Sequence, residues 1–238
     1  MKINKDDSYF KFYDFGLSKI ANNSLVRIRK KVFQIFKSET NFSKFDKILD
    51  VGVSAQDHVS SNFFEQYYPY KYNLTALGLG DFKELEILYP GITYIKGNGK
   101  DLPFKNLEFD WVFSHAVIEH VGNDLNRILF IQELLRVSKK GIILTTPNRN
   151  HPLEFHTGIP LLHFLPKEIH RKIYNFLGKQ FYSKEENLNL FTPKECKKII
   201  NEAINDLNSN NSIFYKLTYV NWMCFPSNIV MILKKNVK

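Results

Sequence analysis

Lys47-Ile-Leu-Asp-Val-Gly52 decides the fold. A short apolar run that ends on an acid and a glycine predicts a buried strand running into a tight turn. Outward from it the same rhythm repeats. Residues 58–68 predict a helix stopped by Pro69, 74–79 a strand, 82–88 a short helix closed by Pro90-Gly91, and 92–95 a strand. Residues 109–113 predict a further strand and 124–137 a helix, with Leu125, Ile128, Leu129, Ile131 and Leu135 near one face. Residues 141–146 predict a fifth strand, stopped by Pro147. Short, nearly continuous apolar strands alternating with helices require a parallel sheet covered on both faces. A ligand of such a sheet lies beyond the carboxyl ends of the strands.

The flanks complete the pattern. Residues 24–37 place Leu25, Ile28, Val32, Ile35 and Phe36 at helical spacing, an amphipathic helix ahead of the first strand. Residues 148–190, with Pro152, Pro160, Pro166 and several aromatics and histidines, read as an insertion after the fifth strand. Thr192-Pro-Lys-Glu195 combines an N-cap hydroxyl, a proline at the first helical position and a capping-box acid, so a helix starts there and runs to about 206. Residues 212–219 and 228–233 are strand-like, a closing antiparallel pair around an aromatic turn region containing Pro226. Without repeats or a linker, the expectation is one α/β domain over 1–238: an N-terminal helical segment (1–45), a core (46–147), a lid (148–191), and a C-terminal helix and strand pair (192–238).

Composition narrows the class. The 238 residues are 44% hydrophobic and 24% charged, enough material for a core without disulfides. The net charge of +9 invites nucleic acid or an anionic membrane as a partner, but Arg, the residue of base and bidentate phosphate readout, stands only at 27, 29, 127, 136, 149 and 171. Nucleic acid is therefore disfavoured, while peripheral contact with a membrane stays compatible with the Lys excess. Cys196 and Cys224 are too few for a disulfide framework, residues 1–15 carry no apolar stretch of a secretory signal, and no run of about 18 apolar residues occurs. A cytoplasmic protein is the expectation.

Four stretches taken in order carry a family resemblance: Asp50-Val-Gly52 at a strand end, Gly97-Asn-Gly-Lys-Asp-Leu-Pro-Phe104, Ser114-His-Ala-Val-Ile-Glu-His120 after the fourth strand, and Gly141-Ile-Ile-Leu-Thr-Thr-Pro-Asn148. Over residues 45–150 the chain resembles the class I S-adenosylmethionine-dependent methyltransferases, in their small-molecule branch. The resemblance implies a Rossmann-like, mostly parallel seven-stranded sheet with helices on both faces, a closing antiparallel pair and a lid inserted after the fifth strand. It also implies S-adenosyl-L-methionine as cofactor.

By that resemblance Asp50 takes the methionine amino group and Gly52 lets the loop approach the ligand. Ser54 and Gln56 stand where the family commonly repeats glycine. The ribose acid of the second strand is displaced: Gly80 holds its place and Asp81 follows, either to bind ribose or to cap the next helix. Asn98 and Gly99 are assigned to the adenine, and Ser114 and the small Ala116 to the cofactor at the fourth strand end. In relatives with a Glu-x-x-Glu-His arrangement these residues bind a metal. Here the first glutamate is Ala116, so Glu119 and His120 are read as packing or capping groups, with a three-ligand site alongside His156 as the alternative and no metal assigned.

Methyl transfer from a sulfonium is an in-line displacement that needs a base only for a protic acceptor. His156 in the insertion is the preferred base and His115 the second candidate, ahead of His163. The resulting expectation is a methyltransferase acting on a small-molecule or glycan/lipid-linked acceptor. Two alternatives stand beside it, a non-catalytic scaffold with a degenerate methyltransferase fold and an RNA methyltransferase. A nicotinamide-dependent reductase is disfavoured, because Gly-x-Gly-x-x-Gly and a helical Tyr-x-x-x-Lys are missing.

Overall fold

A computed structural model of the chain describes residues 18–55, 61–207 and 212–236, with side chains from residue 23 onward. A helix, α1 (Ser18–Thr40), precedes the sheet. The parallel strands are β1 (Ile48–Val51), β2 (Leu74–Gly78), β3 (Thr93–Lys96), β4 (Phe109–His115) and β5 (Ser138–Pro147). Between them lie α2 (Phe63–Tyr67), α3 (Lys83–Leu88) and α4 (Asp124–Val137). After β5 come α5 (Lys167–Phe176), α6 (Gln180–Ser183) and α7 (Pro193–Asn205), then the hairpin β6 (Ile213–Trp222) and β7 (Phe225–Lys235). The seven strands are ordered β3-β2-β1-β4-β5-β7-β6, with β7 antiparallel between β5 and β6. This is the Rossmann-like sheet and closing pair the sequence predicts. The order reverses at β1, so the strand ends β1 and β4 flank the crevice in which such sheets hold ligands.

Strand alternation builds two cores. Leu49 and Val51 face a cluster closed by Phe130, Ile131 and Leu134 of α4 and by Ile199 and Ile200 of α7. Ile48, Trp111, Phe113 and Ile143 face the other side, where Ile28, Val32 and Phe36 of α1 and Phe63 and Phe64 of α2 cover them. Aromatic contacts fix that second face: Phe64 stacks on Phe113 with ring centroids 4.4 Å apart, and Phe36 meets Phe64 edge-on at 4.9 Å. The first turn of α7 carries the predicted capping box, Thr192 and Glu195 each bonding the other's backbone N–H.

Several expectations are corrected. Within the described residues the helix predicted over 58–68 begins only at Phe63, because Asn62 sits in the left-handed region at φ 45°; residues 58–60 lie outside the described residues. On α4 the buried face is Phe130, Ile131, Leu134 and Leu135, whereas Leu125 is 63% exposed and Leu129 43%. The side chain that takes the inner position one turn earlier is Arg127, whose guanidinium lies 4.0 Å from the centroid of the Phe191 ring. Pro226 is not in the closing turn. Met223 and Cys224, at φ 47° and 70°, make it, and Pro226 lies in β7 beyond the last residue paired with β5, where its missing N–H breaks no bond to that strand. The insertion also contains helices. His170 and Tyr174 are the buried positions of α5, and Tyr174, Tyr182, Leu188 and Leu190 form a small separate core.

Candidate functional site

A cavity of about 520 Å³ opens at the carboxyl ends of β1 and β4, within the range of about 300–1,000 Å³ usual for small-ligand sites. Asp50, Gly52, Ser54, His115 and Ala116 form its sheet side; Ser24, Leu25, Ile28 and Arg29 of α1, and Asn62, Phe63, Phe64 and Glu65, form one wall. Leu153, Phe155 and His156 from the insertion close the other, with Trp222 and Asn228 from the hairpin.

The first loop folds this way because of two glycines. Gly52 has φ +104°, and a Cβ there would stand 2.1 Å from Val117 Cγ2. A Cβ on Gly80 would stand 2.2 Å from the Cβ of Ala55. The first loop thus crosses the end of the second strand where the family carries its ribose acid, which accounts physically for glycine at that place. Asp81 points elsewhere. It is exposed, accepts from the Lys83 N–H at 3.3 Å and lies 3.4 Å from Lys83 Nζ, serving the start of α3 rather than the cavity.

Asp50 is buried at the end of β1 and hydrogen-bonds Glu65 of α2, a residue sequence reasoning missed. Burial, then the charge of Glu65, pushes the Asp50 carboxyl well above the usual range. Burial likewise raises Glu65, to about 7, against the pull of its backbone, Asp50 and Lys71. Glu65 Oε1 has no hydrogen-bond partner although it is buried. Two carboxyls in one dry pocket hold a proton in the absence of a cation, and an ammonium group can replace that proton. The one available signal was a lone acid within the aromatic run Phe63-Phe64-Glu65-Gln-Tyr67. Arg29, 5.8 Å from the Phe63 ring centroid, brings a guanidinium to the same wall.

His115 is buried beside Phe63, their ring centroids 4.9 Å apart, with Nδ1 hydrogen-bonded to Thr145 Oγ1. Burial, then the charge of Arg29, holds its pKa well below the ordinary imidazole value. It is therefore a neutral polar wall and a weak base.

His156 has the opposite electrostatics. Its Nδ1 lies 2.8 Å from Glu154 Oε1, and Glu154 also accepts from the backbone N–H groups of His156 and Thr157. Burial works to raise Glu154, but these bonds and the His156 charge outweigh it and bring it down to about 2. Burial opposes a charge on His156, yet Glu154 and Glu119 outweigh that and raise it. This is an orienting carboxylate behind an imidazole.

The structure brings Glu119 and His120 to this histidine: ligand-type atoms of the three lie within 4.8 Å of one another. Both also have structural bonds. Glu119 Oε2 accepts from Thr146 Oγ1 at 3.0 Å and its carbonyl accepts from the Asn189 N–H at 2.9 Å, while His120 Nδ1 pairs with the Asn187 carbonyl. They tie the exit of β4 to the returning end of the insertion, and thereby fix His156 against the sheet. Burial and His156 together drive His120 down to about 3, so it stays neutral.

Besides Asp81, three assigned residues lie outside the cavity wall. Ser114 is buried and donates to the Val51 carbonyl at 2.7 Å, a bond that clamps β4 to β1. Asn98 Oδ1 accepts from the Lys100 N–H at 3.0 Å within its own turn, and Gly99 packs on Phe130, where a Cβ would approach to 2.5 Å. Each has an evident packing or turn role. Ala116, by contrast, lines the cavity in the left-handed region at φ 54°.

The fold and this crevice define an α/β protein built to hold a small cofactor. Residues 49–145 match the methyltransferase domain family. No curated protein matches the sequence. Among solved structures, an S-adenosylmethionine-dependent methyltransferase from Methanosarcina mazei is 16% identical, with 85% of this chain and 97% of that one covered at a TM-score of 0.53. Magnesium protoporphyrin IX methyltransferase from Synechocystis PCC 6803, with bound S-adenosylhomocysteine, is 13% identical, with 97% and 94% covered at 0.55. A methyltransferase from Aquifex aeolicus is 11% identical, with 88% and 97% covered at 0.54. At these identities the structural likenesses speak for the fold, and the domain match speaks for the class. Residues 49–145 thus match a methyltransferase domain, and the fold is the one shared by S-adenosylmethionine-dependent methyltransferases.

Proposed function

We propose that the chain methylates a hydroxyl of a small-molecule or glycan/lipid-linked acceptor, with His156 as the general base. The observation that carries this reading is the Glu154–His156 pair on the cavity wall, at 2.8 Å. Bound S-adenosyl-L-methionine would supply the methyl group to the acceptor oxygen and leave as S-adenosylhomocysteine, and His156 would take the hydroxyl proton. Most of the acceleration comes from alignment and the exclusion of water, and the base adds about 10²–10⁴. In this reading Asp50 and Glu65 would take the ammonium of the cofactor's methionine end and Arg29 its carboxylate, supported by their place on one cavity wall. Leu153, Phe155 and Trp222 supply the apolar side of an acceptor pocket, with the insertion as its lid. A reducing, cytoplasmic setting belongs to the same proposal, supported by two unpaired cysteines, one of them exposed. The test is transfer of labelled methyl from the cofactor into lipid-linked and free glycan fractions: base-stable label that His156→Asn suppresses supports the reading, and transfer indifferent to that variant contradicts it.

A further inference from the structure

The insertion turns two different faces to the molecule. Inward, His163, His170, Tyr174 and Tyr182 are buried, and Arg149 pins the preceding loop by donating to the carbonyls of His163 at 3.1 Å and Leu165 at 3.0 Å. Outward, the same loop and helix expose Leu161, Phe164, Leu165, Ile169 and Phe176, the last 89% accessible. These side chains are a consequence of a bonded backbone. The loop is closed by the Phe164 N–H to the Leu161 carbonyl and the Leu165 N–H to the Leu162 carbonyl, and Leu161 is held at its tip at φ 61°.

Helical spacing gathers the outward residues. Ile169 and Phe176 fall seven residues apart on one stripe of α5, about a quarter turn or more from the buried His170 and Tyr174, and exposed Leu165 precedes the helix. Exposed Lys172 borders this stripe, and Lys179 follows just past the helix, whereas the other cations of α5 are engaged elsewhere: Lys167 with Glu195 at 3.0 Å and Arg171 with Glu185 at 3.5 Å. Glu168 is the one carboxylate on α5.

We propose that this outer face of the insertion, residues 161–179, docks on the surface of an anionic lipid bilayer. Large apolar side chains standing out beside lysines are the pattern of an interfacial helix, whose apolar stripe enters the headgroup boundary while the cations meet anionic headgroups. A protein partner fits the pattern less well, since interface cores are depleted of lysine. The chain's charge of +9 has the complementary sign. Among the described residues no helix is long and apolar enough to cross a membrane, so the contact is peripheral. The docking stands independently of the acceptor.

Co-sedimentation of the full chain with vesicles tests it, using phosphatidylethanolamine–phosphatidylglycerol and, separately, phosphatidylcholine alone. The expected result is binding to the anionic vesicles that weakens with salt, and that Ile169→Ser/Phe176→Ser and Lys172→Glu/Lys179→Glu each weaken by at least about tenfold. All four positions are outside the cavity, so S-adenosylhomocysteine binding and the melting temperature stay as in the parent chain. Absent binding, equal binding to phosphatidylcholine, or variants that bind like the parent would overturn the proposal. So would a dimer in sedimentation velocity that Ile169→Ser/Phe176→Ser dissociates, since the face would then be covered by a second copy.

Discussion

Glu65 on α2 hydrogen-bonds Asp50 at the end of β1, so two buried acids meet on the wall of the one cavity that also receives His115, His156 and Arg29. Both carboxyls are raised by burial; the charge of Glu65 raises Asp50 further, whereas the Asp50 hydrogen bond partly offsets the rise of Glu65. In the absence of a cation the pair holds a proton, and in the proposed cofactor complex an ammonium group would take that proton's place.

The first prediction follows from this exchange. Cofactor affinity rises with pH through about 7, where Glu65 ionises, and binding releases protons. Titration calorimetry in buffers of different ionisation enthalpy reads the release directly. Glu65→Gln is expected to weaken S-adenosylhomocysteine by about tenfold, or about 1.4 kcal/mol, and to reduce the proton release to that of Asp50 alone. Stability moves the other way. A carboxyl raised in the folded state favours folding below its ordinary value near 4.5, and that contribution is lost as pH rises toward about 7. Glu65→Gln therefore melts higher than the parent at pH 8 while binding more weakly, a combination that simple misfolding does not give.

The Glu154–His156 pair makes a second prediction. Because Glu154 raises the His156 pKa, the rising limb of kcat/KM lies above the ordinary imidazole value of 6.5. Glu154→Gln moves that limb to lower pH and slows the reaction, and His156→Asn lowers kcat by about 10²–10⁴ with cofactor binding kept. The same shift stabilises the fold below 6.5 and is lost as pH rises through the folded-state value. As His156 is proposed to act as a base without an ion, activity is expected to survive EDTA. Loss of activity on chelation, restored by a divalent cation, would instead assign Glu119, His120 and His156 to a metal.

A third prediction concerns Arg127, the buried cation of α4. It stacks on Phe191 at 4.0 Å and donates to Asp124 at 3.1 Å and to the Asn189 carbonyl. Arg127→Ala removes that packing and leaves the carbonyl unpaired, for an expected loss of about 2–4 kcal/mol in urea unfolding. Arg127→Met, which keeps most of the volume, loses less. Equal losses would mean that the guanidinium bonds dominate over its packing.

The strands from β1 to β5 were legible because buried parallel strands are continuous apolar runs punctuated by Gly and Pro, and α7 was legible from Thr192 and Glu195 alone. The inner face of α4 was misread, because hydrophobicity alone cannot tell that Leu125 and Leu129 point outward while Arg127 is covered by Phe191. In the site, Asp50, Gly52, Ser54, His115, Ala116 and His156 fall around one cavity. Ser114, Asn98 and Gly99 lie outside its lining and make packing or turn contacts, and Asp81 bonds at the start of α3. Glu65 escaped notice because its significance depends on a contact made across the fold with Asp50. Nothing in its local spacing signals that contact.

The central claim is that the cavity beside Asp50 and Gly52 binds S-adenosyl-L-methionine. Titration calorimetry of the full chain tests it most directly. Saturable one-to-one binding of S-adenosylhomocysteine, lost in both Asp50→Ala and Gly52→Val while circular dichroism shows the fold retained, is the predicted result. No heat with the parent chain, or unaltered affinity in both variants, would contradict it.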